Sequence, residues 1–281
     1  MAGLRRTIVP EQHFHNEEIA PGVTFRRLYP GGMAGPNREC YLDTPGGQQW
    51  SESVMLGSEG PDKIMCLPDI RLPPNQILPM HWHDCWTILI IVEGNVLIGD
   101  WYAGDQDVFV AAPGVEYGPI LAGPKGCRLF ELFGDLALAP GGYGPEYRDH
   151  PTLQGGTFVF KERIAPNLGN QGHSTLPVDG VEGLWKDRLT PGRSWDLGEA
   201  GDPERGIMRD TRLASGKKLA ARQTGDWWAA MVLSGSAEAA GRTLVRDDVL
   251  VAAPGADLPE VVAGASGVQL LEMARTSRGI G

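Results

Sequence analysis

Asp107-Val108-Phe109-Val110-Ala111-Ala112-Pro113-Gly114 returns further along the chain as Asp248-Val249-Leu250-Val251-Ala252-Ala253-Pro254-Gly255, an offset of 141 positions. The same offset superposes Leu56-Gly57 on Leu197-Gly198, Arg71-Leu72 on Arg212-Leu213, Trp86 on Trp227, Gly94 on Gly235 and Glu131 on Glu272. No gap is needed between 56 and 133, and 17 of the 63 positions from 71 to 133 are identical. A repeat of this length is a duplicated structural unit, and it sets the architecture before any local propensity is weighed.

Within each copy the pattern is that of strands and tight turns. Apolar runs of four to eight residues, such as Ile88 to Val92, Val108 to Ala112 and Arg128 to Phe133, are separated by Gly, Pro and Asp clusters. That spacing belongs to an all-β barrel or sandwich. The 39 glycines and 22 prolines among 281 residues reinforce it, because they favour turns and short strands over long helices. Residues 1–35 read as an N-terminal arm, 36–135 as the first domain, 136–175 as a connection with a crossing strand at Thr157 to Ile164, and 176–281 as the second domain.

A formal net charge of −10 leaves no broad basic surface, so nucleic acid and anionic membranes are not expected partners. The longest apolar run, within Trp86 to Val92, is too short to cross a bilayer, and Met1 to Pro10 has no apolar stretch behind Arg5 and Arg6. A cytoplasmic protein is expected. Cys40, Cys66, Cys85 and Cys127 lack C-x-x-C spacing and read as free thiols.

His81-Trp82-His83 opens the longest apolar strand. Side chains alternate along a strand, so His81, His83, Cys85 and Thr87 share one face. If that face is a barrel interior, the two imidazoles are placed to share a divalent metal; a buried histidine pair without metal is the alternative.

With these features the sequence resembles the cupin superfamily, and specifically a bicupin with two tandem jelly-roll (double-stranded β-helix) barrels. The family's first motif, G-x5-H-x-H-x3-4-E-x6-G, falls on Asn75, His81, His83, Thr87 and Gly94. Asn75 suits the glycine's left-handed turn, and the second copy has Gly216 there. Thr87 stands where the family has its glutamate ligand, so one ligand is missing. In the second motif, Asp107 and Gly114 keep their places, Gln106 and Ala112 replace a glycine and a proline, and Tyr117 takes the place of the third histidine. Tyr117 can ligate as phenolate, although its ordinary pKa near ~10 leaves the metal to drive ionisation, or it can hydrogen-bond a substrate. Cys85 is either a small apolar residue or part of the site.

The second copy carries Arg222, Thr224, Trp228 and Leu258 at the four ligand positions, which excludes a metal held in the family's manner. Glu131 recurs there as Glu272, so it reads as a residue serving the barrel rather than catalysis. His13 and His15 lie in the arm with Glu17 and Glu18; they are solvated, or the arm folds over the barrel mouth and adds a ligand. The resemblance implies one mononuclear site with His81 and His83 as metal ligands, Tyr117 as ligand or catalytic group, and Cys85, Thr87 and Tyr117 lining a substrate pocket. The expected cofactor is one divalent transition metal, Fe(II) foremost, with Mn, Ni, Cu or Zn allowed. The expected activity is a dioxygenase-type oxidation of a small oxygenated molecule; a metal-assisted lyase, isomerase or cyclase and a non-catalytic binding cupin stand as alternatives. A homodimer is allowed.

Overall fold

The structure is a computed structural model and describes residues 15–27, 41–44, 47–57, 63–78, 80–83, 87–99, 101–112, 114–133, 141–143, 176–177, 183–197 and 206–274. Every regular element among them is a strand, and together they form two units. The expected crossing strand at 157–164 and most of the expected connection lie outside the described residues. No helix long and apolar enough to cross a membrane occurs among those described.

In the first unit the strand Thr87–Ile98 is flanked on one side by Asp107–Ala111 and on the other by Ile120–Phe133, which pairs in turn with the Cys66 to Leu72 part of the strand Lys63–Leu72. The second unit repeats this order with Trp228–Ala239 between Asp248–Ala252 and Val261–Ala274, followed by Gly206–Leu213. Alternation sends Leu89, Ile91, Val96 and Ile98 into the first core, beside Leu129 and Phe109. Ala230, Val232, Ala237 and Ala239 do the same in the second. Each such Leu or Ile contributes about 1.5–3 kcal/mol by leaving water. The neighbours of opposite parity, Ile88 and Ile90, are fully buried too, so this strand is covered on both faces.

The duplication extends to backbone conformation. Asn75 and Gly216 have φ of 61° and 69°, so Asn75 does hold the left-handed turn inferred from its counterpart. Gln106 (φ 70°) and Asp247 (φ 73°) form a second such pair. Gly94 (φ 74°) is required on two counts: its conformation is left-handed, and a Cβ there would stand 2.3 Å from the Gly126 carbonyl oxygen.

The division of the chain differs from the one read in the sequence. Described residues of Pro36–Val54 and Cys66–Leu189 form the first unit, those of Pro10–Gly35, Met55–Met65 and Thr190–Gly281 the second. The boundary expected at 176 therefore falls after Leu189. Leu184–Arg188 pairs with Asp107–Ala111 of the first unit, aligning Arg188 with Asp107. Within the expected arm, His15–Ala20 and Val23–Arg27 make a hairpin whose second strand pairs with Asp248–Ala252, aligning Arg27 with Asp248; His13 and the side chain of His15 lie outside the described residues. Each unit thus takes an outer strand from the sequence that precedes the other unit's main repeat.

This exchange explains the aspartate that opens the repeated octapeptide. Asp107 is buried, accepts the Gly104 N–H at 2.9 Å and pairs with the Lys186 Nζ at 3.2 Å. Asp248 accepts the Val245 N–H at 2.9 Å and two bonds from the Arg27 guanidinium, at 2.9 and 2.8 Å. In both units the carboxylate ties a turn and the incoming strand to the sheet. Burial holds the Lys186 ammonium below its ordinary pKa, against the opposing pull of Asp107.

Candidate functional site

The strand His81–His83 pairs antiparallel with Gly141–Tyr143, setting His81 opposite Tyr143 and His83 opposite Gly141. The side chains of His81 and His83, and the whole of Cys85, lie outside the described residues. Thr87, the first residue of the next strand, has no exposed surface and shares its face with the core residues Leu89 and Ile91. Its inward parity is therefore as expected. Glu93 is exposed, in keeping with a solvated strand end.

Tyr117 is buried in the same core, its ring tilted 51° against Phe109 at a centroid distance of 5.8 Å. Its hydroxyl donates to the Glu131 carboxylate at 2.7 Å. Glu131 lies on Ile120–Phe133, directly opposite Leu89, and is buried. Its alternation with the interior residues Cys127 and Leu129 turns it into the barrel. This partnership was missed in the sequence, where recurrence as Glu272 pointed to a barrel role alone. The signal was available in the alternation, because a carboxylate of inward parity needs a polar partner.

The second barrel shows what its own carboxylate requires. Glu272 has no exposed surface and accepts hydrogen bonds from Trp228 Nε1 at 2.9 Å, from the Arg222 guanidinium at 3.2 Å and from the Thr211 hydroxyl. Arg222 also lies 5.7 Å from the Trp228 ring centre. Arg222 and Trp228 are the counterparts of His81 and Thr87, and Glu272 is the counterpart of Glu131. In this barrel the side chain at the position of His81 reaches the interior carboxylate and brings a permanent cation. Leu258, the counterpart of Tyr117, is a buried core residue opposite Arg222.

These positions test the fit of a metal to the first barrel. It offers a phenol and a carboxylate in contact inside the barrel, and it carries an imidazole where the second barrel carries Arg222. Nitrogen and oxygen donors of this kind suit Fe(II) or Mn(II), so the residues fit the expected cofactor. Among the described residues no cluster of three or more His, Cys, Asp or Glu side chains stands together. Cys127 is a free thiol as expected, and burial pushes it up to about 12, which makes it unreactive.

No protein-family model matches the sequence, and no curated protein matches it. Solved structures do resemble it in fold. A candidate dioxygenase from Nostoc punctiforme superposes with a TM-score of 0.56 at 12% identity, over 83% of this chain and 75% of that one. Salicylate 1,2-dioxygenase from Pseudaminobacter salicylatoxidans gives 0.50 at 14% identity, over 79% and 76%. Oxalate decarboxylase from Bacillus subtilis gives 0.50 at 16% identity, over 97% and 77%. At such identities the likeness speaks to fold. Taken with the duplicated jelly-roll order of strands, it makes this chain a protein of the bicupin fold.

Proposed function

We propose that the first barrel is a mononuclear metal centre in which His81 and His83 bind one divalent transition metal, Fe(II) foremost. In this reading the chain is a metal-dependent cupin enzyme that oxidises a small oxygenated organic molecule. The reading rests on the buried Tyr117–Glu131 pair, a polar site in an apolar core, within the barrel that carries H-x-H. The second barrel has filled the corresponding space with a cation and an indole. Tyr117 orients a substrate oxygen, and Thr87 and Cys85 line the pocket. The chemistry such an ion supplies when bound is polarisation of a substrate oxygen and, for Fe(II), activation of dioxygen. Dioxygenase and decarboxylase activities are both named among the neighbours in fold, and oxidation is the reading favoured here.

The test is elemental analysis of protein purified without a histidine tag, before and after reconstitution with Fe(II), beside His81→Ala. One equivalent in the parent protein and none in the variant is expected, with oxygen uptake on a panel of hydroxylated aromatics and oxo acids. An equivalent retained by His81→Ala would overturn the ligand assignment. Failure of the parent protein to take up any metal would leave a non-catalytic binding cupin.

A further inference from the structure

We propose that the second barrel binds a small organic acid, taking its single carboxylate on the Arg209 guanidinium. The proposal is independent of the metal centre in the first barrel. Arg209 belongs to the barrel interior by its register: one row across the sheet runs from Ser194 through Arg209, Glu272 and Ala230 to Leu250. Ala230 and Leu250 are core residues. Along its own strand Arg209 alternates with Ile207, which packs in that core, and with Thr211, whose hydroxyl donates to Glu272.

The Arg209 Nε is buried and meets no hydrogen-bond partner, and among the described residues no ion pair reaches its guanidinium. Glu272, directly opposite, does not serve it. One oxygen of that carboxylate accepts from Thr211, and the other accepts from Trp228 and, at 3.2 Å, from Arg222. A buried donor left in this way is costly unless an acceptor arrives to meet it. The fold itself does not call for these groups. Pro68 and Ile70 stand in the first copy where the second has Arg209 and Thr211, and Ile70 is an ordinary core residue there.

Access and charge set the class of ligand. Exposure rises along the row, from the fully buried Glu272 through the half-buried Arg209 to the exposed Ser194 on the edge strand, so the guanidinium is reached from the Ser194 side. A planar guanidinium matches a carboxylate with two parallel hydrogen bonds. A monoanion balances its one charge. A phosphate dianion would bring excess negative charge next to the buried Glu272.

The experiment is calorimetric titration of the full chain with benzoate and with inorganic phosphate, repeated on Arg209→Gln, Lys217→Gln and His81→Ala. Lys217 is exposed and controls for the loss of one positive charge. Expected is one equivalent of benzoate in the parent protein, unchanged in Lys217→Gln and His81→Ala, with affinity in Arg209→Gln weakened by about tenfold or more. Phosphate should bind the parent protein at least about tenfold more weakly than benzoate. No benzoate binding by the parent protein, or a smaller than tenfold change in Arg209→Gln, would overturn the proposal. An equal loss in Lys217→Gln would reduce it to general charge attraction, and a loss in His81→Ala would move the acid to the first barrel. Phosphate binding as tight as benzoate would overturn the carboxylate assignment. If Arg209→Gln does not fold, Arg209→Lys, which keeps the charge but loses the planar fork, is judged by the same tenfold criterion.

Discussion

Arg222 and Glu272 meet at 3.2 Å inside the second barrel, with the carboxylate fully buried and the arginine largely so. Removing Arg222 leaves the buried Glu272 charge with only the neutral donors of Trp228 and Thr211 to meet it. Arg222→Met is expected to lower stability by about 3–5 kcal/mol. Arg222→Met combined with Glu272→Gln should recover part of that loss. A double-mutant cycle by urea denaturation checks it, and additive effects would show that the pair is not coupled.

The octapeptide aspartates should behave as latches. Asp248→Asn removes a charge that accepts two bonds from Arg27 and one from the Val245 amide, and is expected to cost about 2–3 kcal/mol. Amide exchange should accelerate over Val23–Arg27, the strand that Arg27 ties down. Unchanged exchange there would disconnect the aspartate from the strand.

Backbone conformation gives a graded series. Asn75→Gly should be neutral to within about 0.5 kcal/mol, because its counterpart Gly216 holds the same turn. Asn75→Val should cost about 1 kcal/mol or more, since a branched side chain resists positive φ. Gly94→Ala should cost more, about 2–4 kcal/mol, because its Cβ also meets a backbone oxygen. Equal melting temperatures for Asn75→Val and Asn75→Gly would refute the turn assignment.

Tyr117→Phe separates ligand from substrate contact. Removing the hydroxyl leaves Glu131 without that donor and should cost about 1–2 kcal/mol of stability. Metal should be retained and turnover impaired. A visible charge-transfer band on loading with Fe(III), lost in the variant, would instead mark a phenolate ligand.

The fold was legible because the repeat is written in residues that the backbone cannot exchange freely. Gly94, Asp107 and Gly114 recur because their counterparts hold the same turns and the same latch. The interior placement of Thr87 and Tyr117 was legible by alternation and motif. Glu131 was not recognised as a partner of Tyr117, because identity between copies marks a shared position but does not reveal that the surrounding chemistry has diverged. The outer strands were missed for a different reason: Val23–Arg27 and Leu184–Arg188 are related by their pairing partners, and they lie outside the 141-residue offset. Sheet neighbours so far apart in sequence leave no local pattern.

The strand exchange has a consequence for synthesis and for evolution. Arg27 leaves the ribosome 221 residues before Asp248, so the N-terminal hairpin must persist without its sheet while most of the chain is made. The first unit, by contrast, can close once Arg188 has emerged, so folding during translation is expected to run from the middle of the molecule outward. A chain cut between 175 and 176 yields two fragments, each with a sheet edge whose cover went with the other piece. Divergence of the second copy at the positions of His81, His83, Thr87 and Tyr117 is therefore tolerable in a way that loss of the copy itself is not: the two halves are free to diverge in chemistry but remain bound to a common inheritance.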